Sequence, residues 1–231
     1  MPPSEPQHFP RQFTGGVLTL RRGIFITLEG IEGCGKSTQA KKLAARLRKD
    51  GYRVVETREP GGTPFAERVR ALLLNTLPEP IAPECEAHLI CASRSQHVAR
   101  VIRPALQGGA VVLCDRFSDS TMAYQGYGRQ LDLEVLERLN RFATGKVAPD
   151  LTLLLDLPIS TGLARRRRER HLNRLDREAS GFYQRVRNGY LELAARCPRR
   201  IKVINANPDP ETVEAEITKI VTRFLNKRRR S

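Results

Sequence analysis

No apolar run in this 231-residue chain approaches the roughly 18 residues that a membrane span requires, so a transmembrane helix is excluded and no membrane partner is expected. Cysteine is too sparse for a scaffold. Cys34, Cys85, Cys91, Cys114 and Cys197 are odd in number and hold no C-x-x-C pair, which argues against a disulfide framework and a structural zinc site. A reducing, cytoplasmic setting is expected. The four histidines are scattered and form no H-E-x-x-H, no segment reads N-K-x-D as a guanine-specific switch would, and no internal repeat is present. Residues 1–22 are rich in Pro, Gly and polar side chains. Their one apolar run, Val17-Leu18-Thr19-Leu20, is shorter than the roughly 7–15 residues of a signal-peptide core. They read as a disordered or loosely docked extension, and Glu5 argues against an organelle transit peptide, a class poor in acids.

Positive charge, by contrast, is abundant: 40 Lys+Arg against 25 Asp+Glu, a formal net charge of +15. Such an excess suggests nucleic acid or another polyanion as partner. Its placement says otherwise. Residues 161–200 carry +8 and residues 223–231 carry +5, whereas residues 31–160 carry only +3, from 18 basic and 15 acidic residues. A duplex-binding face would be spread over more of the fold. One basic element and a basic tail at 226–231 describe the chain better, and no stable nucleic-acid partner is expected.

From residue 23 onward, short β-type runs alternate with helical periodicities. Strands are expected at 24–28, 52–57, 110–114, 151–155 and 201–204. Helices are expected at 36–49 (stopped by Gly51), 64–74, 84–106, 120–123, 133–144 and 211–225, with helical segments on either side of the arginine cluster. This alternation is that of an α/β domain with a parallel sheet and helices on both faces, here one domain over residues 23–225.

Directly after the first strand comes Gly30-Ile31-Glu32-Gly33-Cys34-Gly35-Lys36-Ser37, a G-x-x-x-x-G-K-S loop. Its glycines let successive N–H groups turn inward around an anion, and the helix that follows points its positive end at the same place. Lys36 would reach the β- and γ-phosphates of a nucleotide, and the Ser37 hydroxyl would ligate Mg²⁺. Cys34 either fills the loop as a small side chain or presents a thiol that ATP shields from alkylation. The loop alone leaves a nucleotide switch, a nucleic-acid ATPase and a small-molecule kinase open.

Four further segments narrow the choice. Thr57-Arg58-Glu59-Pro60-Gly61-Gly62-Thr63 follows the second strand, and Ser93-Arg94-Ser95-Gln96-His97 lies on the long helix. Asp115-Arg116-Phe117-Ser118-Asp119-Ser120-Thr121, then Tyr124-Gln125-Gly126, follows the third strand, and Pro149-Asp150-Leu151-Thr152 opens the fourth. With the phosphate loop, these resemble bacterial thymidylate kinase over about residues 23–225. The resemblance implies a P-loop NTPase three-layer sandwich with a five-stranded parallel sheet in the order 2-3-1-4-5. It implies transfer of the ATP γ-phosphoryl group to dTMP, giving dTDP on the way to dTTP, by a homodimer. It also implies an acceptor site of Glu32, Arg58, Arg94, Arg116, Thr121, Tyr124 and Gln125. In that set Arg116 holds the acceptor phosphate by a two-pronged contact and Arg94 hydrogen-bonds the thymine ring. Tyr124 packs where a ribose 2′-OH would sit, and Glu32 lies near the sugar. Asp115 joins Ser37 in holding Mg²⁺. No general base is needed, because the second pKa of a phosphate monoester is about 6 and the nucleophile is already an anion.

The run Arg165-Arg166-Arg167-Arg168-Glu169-Arg170, followed by Arg174, Asp176 and Arg177, falls where small kinases carry a lid, here at about 162–177. Some thymidylate kinases place a basic residue inside the phosphate loop. This chain has Gly33 and Cys34 there and resembles the type whose catalytic arginines come from the lid; Arg168 and Arg170 are the candidates, with Lys36 and Arg116, for that role. The family's usual Phe four residues before the arginine at position 94 is replaced by Ile90, which covers a base by dispersion but lacks π stacking. A kinase for another nucleoside monophosphate or a deoxynucleoside, and a basic nucleic-acid-binding ATPase, are the competing readings.

Overall fold

The structure, a computed structural model, describes Leu20, residues 22–167 and residues 173–230. Most of the expected N-terminal extension, and the expected lid arginines Arg168 and Arg170, lie outside the described residues. Strands β1 (Ile24–Glu29), β2 (Val54–Arg58), β3 (Val111–Asp115), β4 (Leu151–Asp156) and β5 (Ile201–Asn205) form one parallel sheet in the order β2-β3-β1-β4-β5, the order implied by the resemblance. The helices are α1 (Lys36–Lys49), α2 (Pro64–Leu74), α3 (Pro83–His97), α4 (Arg103–Gln107), α5 (Ser118–Thr121), α6 (Leu133–Thr144), α7 (Ile159–Arg167), α8 (Ser180–Arg196) and α9 (Pro210–Arg230).

Central strands β1, β3 and β4 are covered on both faces, which is why they read as nearly unbroken apolar runs, whereas the edge strands β2 and β5 admit polar residues. On one face Leu43 and Leu47 of α1 and Val213 and Ile217 of α9 pack against Ile26, Leu28 and Leu153. On the other, Phe182, Tyr183 and Val186 of α8 meet Leu154, while Val98, Ile102 and Ala105 meet Phe25 and Val112. Three layers result. The helix starts follow local chemistry: Thr63 Oγ1 accepts from the Ala66 N–H with Pro64 in the first turn of α2, and Asp132 Oδ1 accepts from the Glu134 and Val135 N–H groups at the start of α6.

Two expectations change. The helix expected over 84–106 is interrupted by a π-helical turn at Val98–Ile102, where the Arg103 N–H donates to the Val98 carbonyl five residues back. Pro104 offers no N–H and crowds the carbonyl of Arg100, so the ladder widens just before it. A second π-helical turn at Met122–Gly128 follows α5 and carries Tyr124 and Gln125. At the C-terminus, α9 runs to Arg230 instead of ending near 225 with a separate tail. Arg228 pairs with Asp150 and its guanidinium lies 5.7 Å from the centre of the Phe224 ring, which gives the basic end something to hold.

The sheet sets the site. Glu29, Arg58 and Asp115 end β1, β2 and β3, and the pairings of Leu28 and Arg58 with Asp115 put those ends level. The connections from β1 diverge here, β3 lying on one side of it and β4 on the other, and open α/β sheets take ligands at such a switch point.

Candidate active site

The loop between β1 and α1 wraps the Lys36 ammonium, whose Nζ donates to the Ile31 carbonyl at 2.8 Å and the Gly30 carbonyl at 3.1 Å. Cys34 is buried against Gly30, with the Lys36 Nζ 3.5 Å from its Sγ, so it fills the loop. At Gly33 (φ 73°) a Cβ would lie 2.2 Å from the Gly162 carbonyl oxygen of α7, and at Gly162 a Cβ would lie 2.7 Å from the Glu32 carbonyl oxygen. The loop and α7 therefore touch backbone to backbone, which leaves no room for a basic side chain at position 33. Ser37, next to Lys36, donates from its Oγ to Asp115 Oδ2 at 2.5 Å. Two hard oxygen donors thus meet at the mouth of the loop.

Arg116 follows β3 in a left-handed conformation (φ 73°), a costly one for a non-glycine residue and one that concentrates at functional sites. It aims the guanidinium back over the phosphate loop. Nη1 donates to the Gly30 carbonyl (3.0 Å) and Tyr190 Oη (3.1 Å), and Nη2 to Glu32 Oε1 (3.0 Å) and Tyr124 Oη (3.1 Å). Tyr124 in turn donates to Glu32 Oε2 at 2.6 Å. Glu32, Arg116, Tyr124, Thr121 and Gln125 line one open cavity, to which Leu74, Ile90 and Leu175 add apolar surface. Arg58 lies outside it, in an adjoining cavity with Lys36, Ser37 and Asp115, and its Nη2 donates to Glu67 Oε2 at 3.0 Å. The two cavities share Arg116 and Arg70.

Arg94 sits deeper than its expected role suggests. It is 1% exposed and does not line the cavity. Nε donates to Glu59 Oε2, Nη1 to Thr121 Oγ1 and Asn140 Oδ1, and Nη2 to the Phe117 carbonyl. Four of the five guanidinium N–H groups are thereby taken, leaving one on Nη2. Arg94 fixes Thr121, which does face the cavity.

Arg70 and Glu29 carry no motif in the sequence, and Arg166 is visible there only as part of the arginine run. Arg70 on α2 faces both cavities; burial first, and then repulsion from Arg58, pull its pKa down to about 10. Such crowding of cations marks a place for an anion. Arg166, within the arginine run, reaches the phosphate cavity and pairs with Asp176 through Nε and Nη2, both at 2.8 Å, while the Asn173 N–H donates to the same carboxylate. The stems on either side of 168–172 are therefore joined. Glu29 lies fully buried under the β3–α5 turn, accepting from the Phe117 N–H, Ser120 Oγ and Tyr190 Oη. An acid closing an otherwise apolar strand was the available signal for Glu29; Arg70 had none outside a folded structure.

A family model described as thymidylate kinase matches residues 28–217. The chain is 52% identical over 211 residues to the thymidylate kinase of Geobacter sulfurreducens, covering 89% of this chain and 98% of that one. It is 50% identical over 203 residues to that of Ectopseudomonas mendocina, covering 88% and 97%. Among solved structures, the thymidylate kinase from Ehrlichia chaffeensis superposes with a TM-score of 0.71 at 35% identity, over 87% of this chain and 99% of that chain.

Two outcomes follow from this geometry. Gly162→Ala adds only a methyl to α7 but must push the loop away, so turnover is expected to fall by about 10²-fold with little change in thermal stability; steady-state kinetics with unchanged turnover would show that the contact is not needed. Burial, reinforced by the charge of Asp119, raises the Glu29 pKa to about 7. A folded state that holds this proton more tightly than the unfolded chain loses stability as pH rises from about 4.5 through 7. Relative to Glu29→Gln, the native protein is expected to lose about 3 kcal/mol between pH 5 and 8 in urea unfolding. A gap that stays constant over that range would mean Glu29 does not titrate there.

Proposed function

The chain belongs to the thymidylate kinase family, and on that premise we propose that it transfers the γ-phosphoryl group of ATP to dTMP, giving dTDP and ADP, with the following roles for its residues. The observation that carries the assignment is the pair of joined cavities at the carboxyl ends of the strands. One is bounded by the phosphate loop and the other by the acceptor segments, with Arg70 and Arg116 at their junction. Arg116 and Arg70 hold the dTMP phosphate at that junction, and Arg58 adds charge from the donor side. Lys36 and the inward N–H groups of residues 30–37 hold the ATP phosphates. Arg166, braced by Asp176, brings lid charge to the transferring group, alongside Arg168 or Arg170, and the closed stem keeps out water that would hydrolyse ATP.

Ser37 and Asp115 fit Mg²⁺. They supply one hydroxyl and one carboxylate, and among the described residues no group of three or more Asp, Glu, His or Cys converges, as suits an ion that takes its remaining ligands from water and phosphate. Bound with ATP, the ion neutralises charge on the β- and γ-phosphates. The protein's own work is to bring two anions into line. Thr121 and Gln125 address the base, with Arg94 fixing Thr121 from behind; Ile90 covers its face, and the buried Tyr124 ring, tied to Glu32, excludes a ribose 2′-OH. A smaller opening beside Cys34, lined by Arg165, Pro208 and Val213, takes the donor base.

A homodimer is supported by one surface. Phe142 (89% exposed) and Val135 lie on α6, Phe65 and Leu72 on α2, and both helices pack against α3, so neighbouring elements carry exposed apolar side chains. No helix among the described residues is long and apolar enough to cross a membrane.

Labelled ATP offered with dTMP, dCMP, dGMP and dAMP is expected to label dTMP preferentially and only when Mg²⁺ is present. Arg116→Ala is expected to lower kcat/KM for dTMP by about 10²–10³-fold, and Arg70→Ala to raise KM for dTMP by about tenfold. Preference for another monophosphate, or DNA-stimulated hydrolysis without acceptor labelling, would overturn the reading. Sedimentation should show a dimer that Phe142→Glu dissociates; a monomeric native protein at micromolar concentration would remove the dimer.

A further inference from the structure

We propose that Glu86, which touches no substrate, is the positioning residue that sets pyrimidine specificity. It fixes which way the Gln125 amide faces, so that the acceptor cavity offers a hydrogen-bond acceptor to the base. The inference rests on reading that cavity as the dTMP site.

Glu86 lies on α3, eight residues before Arg94, and its side chain is 2% exposed. Gln125 Nε2 donates to Glu86 Oε1 at 2.7 Å. Arg129 donates to both carboxylate oxygens, from Nε and Nη2 at 3.4 Å, and Arg174 donates to Oε2. Burial opposes the charge, but Arg174, Arg129 and Gln125 outweigh it and hold the carboxyl below its ordinary pKa. Glu86 is therefore a carboxylate at neutral pH, and a carboxylate only accepts hydrogen bonds.

That one-sidedness settles the Gln125 amide. A glutamine side chain has a donor end and an acceptor end of almost the same shape, and only its partner decides which faces where. With Oε1 of Gln125 turned toward Glu86, two oxygens would meet at the distance of a hydrogen bond in a buried setting, each left without a donor. The NH₂ group must face Glu86. Gln125 Oε1 then accepts from none of the described side chains, and Gln125 borders the cavity beside Thr121 and Ile90.

Thr121 lines the same cavity; its Oγ1 accepts from Arg94 Nη1 and its own O–H remains to donate, so the cavity presents one acceptor and one donor. Thymine carries the complement along its imide edge, an N3–H donor beside the O4 acceptor. Cytosine carries the reverse, an N3 acceptor beside an N4 amine, and meets acceptor with acceptor and donor with donor. Unpaired polar groups of this kind give strong discrimination. The choice between the two pyrimidines is thus made by a carboxylate behind the reader.

The test is the ratio of kcat/KM for dTMP to that for dCMP, measured by competition. In Glu86→Gln the partner can offer either a donor or an acceptor, Gln125 is free to turn, and the ratio is expected to fall at least about tenfold. A purely structural role would lower both substrates together and leave the ratio unchanged; that result overturns the inference while the dTMP assignment stands. In a Gln125→Leu background Glu86→Gln should leave the ratio where Gln125→Leu put it, and a further fall would mean that Glu86 does not act through Gln125. Should Glu86→Gln not fold, dTMP methylated at N3 gives a second reading in the native protein and in Gln125→Leu. The methyl removes the donor, so its penalty should be large in the native protein and at least about tenfold smaller in Gln125→Leu; equal penalties overturn the inference. If the native protein itself prefers a monophosphate other than dTMP, the reading of the cavity fails first, and the inference with it.

Discussion

Five protein oxygens converge on the Arg116 guanidinium: the Gly30 carbonyl, Glu32 Oε1 and the hydroxyls of Ser120, Tyr124 and Tyr190. These come from the phosphate loop, from α5, from the π-helical turn that follows it, and from α8. One cation therefore ties the donor loop to the acceptor wall. The backbone that delivers it is strained, since Arg116 occupies left-handed space without being glycine, at a cost of about 1–2 kcal/mol. That strain persists because the Arg116 N–H donates to the Leu28 carbonyl and the next residue, Phe117, is fully buried with its N–H on Glu29. A relaxed Arg116 would release the very contacts that bring the two halves of the site together.

The contact between Gly33 and Gly162 decides where the remaining positive charge comes from. Because the loop lies directly on α7, it cannot carry a long basic side chain at position 33, and on the phosphoryl transfer proposed above further charge would arrive from the far side of that contact. From that side Arg165 lines the opening beside Cys34 and Arg166 the phosphate cavity, within a segment, 161–200, that carries +8. Three of those eight charges are matched by acids outside the segment, and one further arginine by an acid within it. Arg166 pairs with Asp176, Arg187 with Asp156, Arg200 with Asp119, and Arg174 with Glu86. Part of the basic composition is thus taken up in ion pairs within the fold.

The strands and the phosphate loop were legible because each carries a local signature: unbroken apolar runs for strands buried on both faces, and glycines at fixed offsets from a lysine; the strand order came only through the family resemblance. The acceptor segments were legible through their spacing, and the structure brings Glu32, Arg116, Thr121, Tyr124 and Gln125 into one cavity. What stayed hidden depends on the third dimension. Arg70 has no motif; it matters because α2 turns it toward Arg116. The π-helical turn at Val98–Ile102 reflects Pro104 acting on a helix held in place by packing against β3, which periodicity cannot register. Arg94 was legible as a site residue, but its four internal hydrogen bonds were not, since their partners Glu59, Phe117, Thr121 and Asn140 are scattered along the chain.

Those internal bonds explain how a small cavity becomes selective. Polar groups that face a substrate are useful only if they point one way before it arrives, because a donor free to swing pays its ordering cost on binding and accepts wrong partners as readily as right ones. Here each group lining the cavity is held from behind: Thr121 by Arg94, which Glu59 and Asn140 fix in turn, Tyr124 by Glu32, and the β3–α5 turn by Glu29. The holding groups are themselves buried acids or amides, which water would solvate better. Glu29 shows the consequence most clearly, with a carboxyl lifted to about 7 by the burial that its supporting position demands. The acceptor wall is thus built from groups that each lower the stability of the fold slightly and are kept in place by their neighbours. A site that must read both a phosphate and a base edge with little freedom of movement is bound to contain such groups.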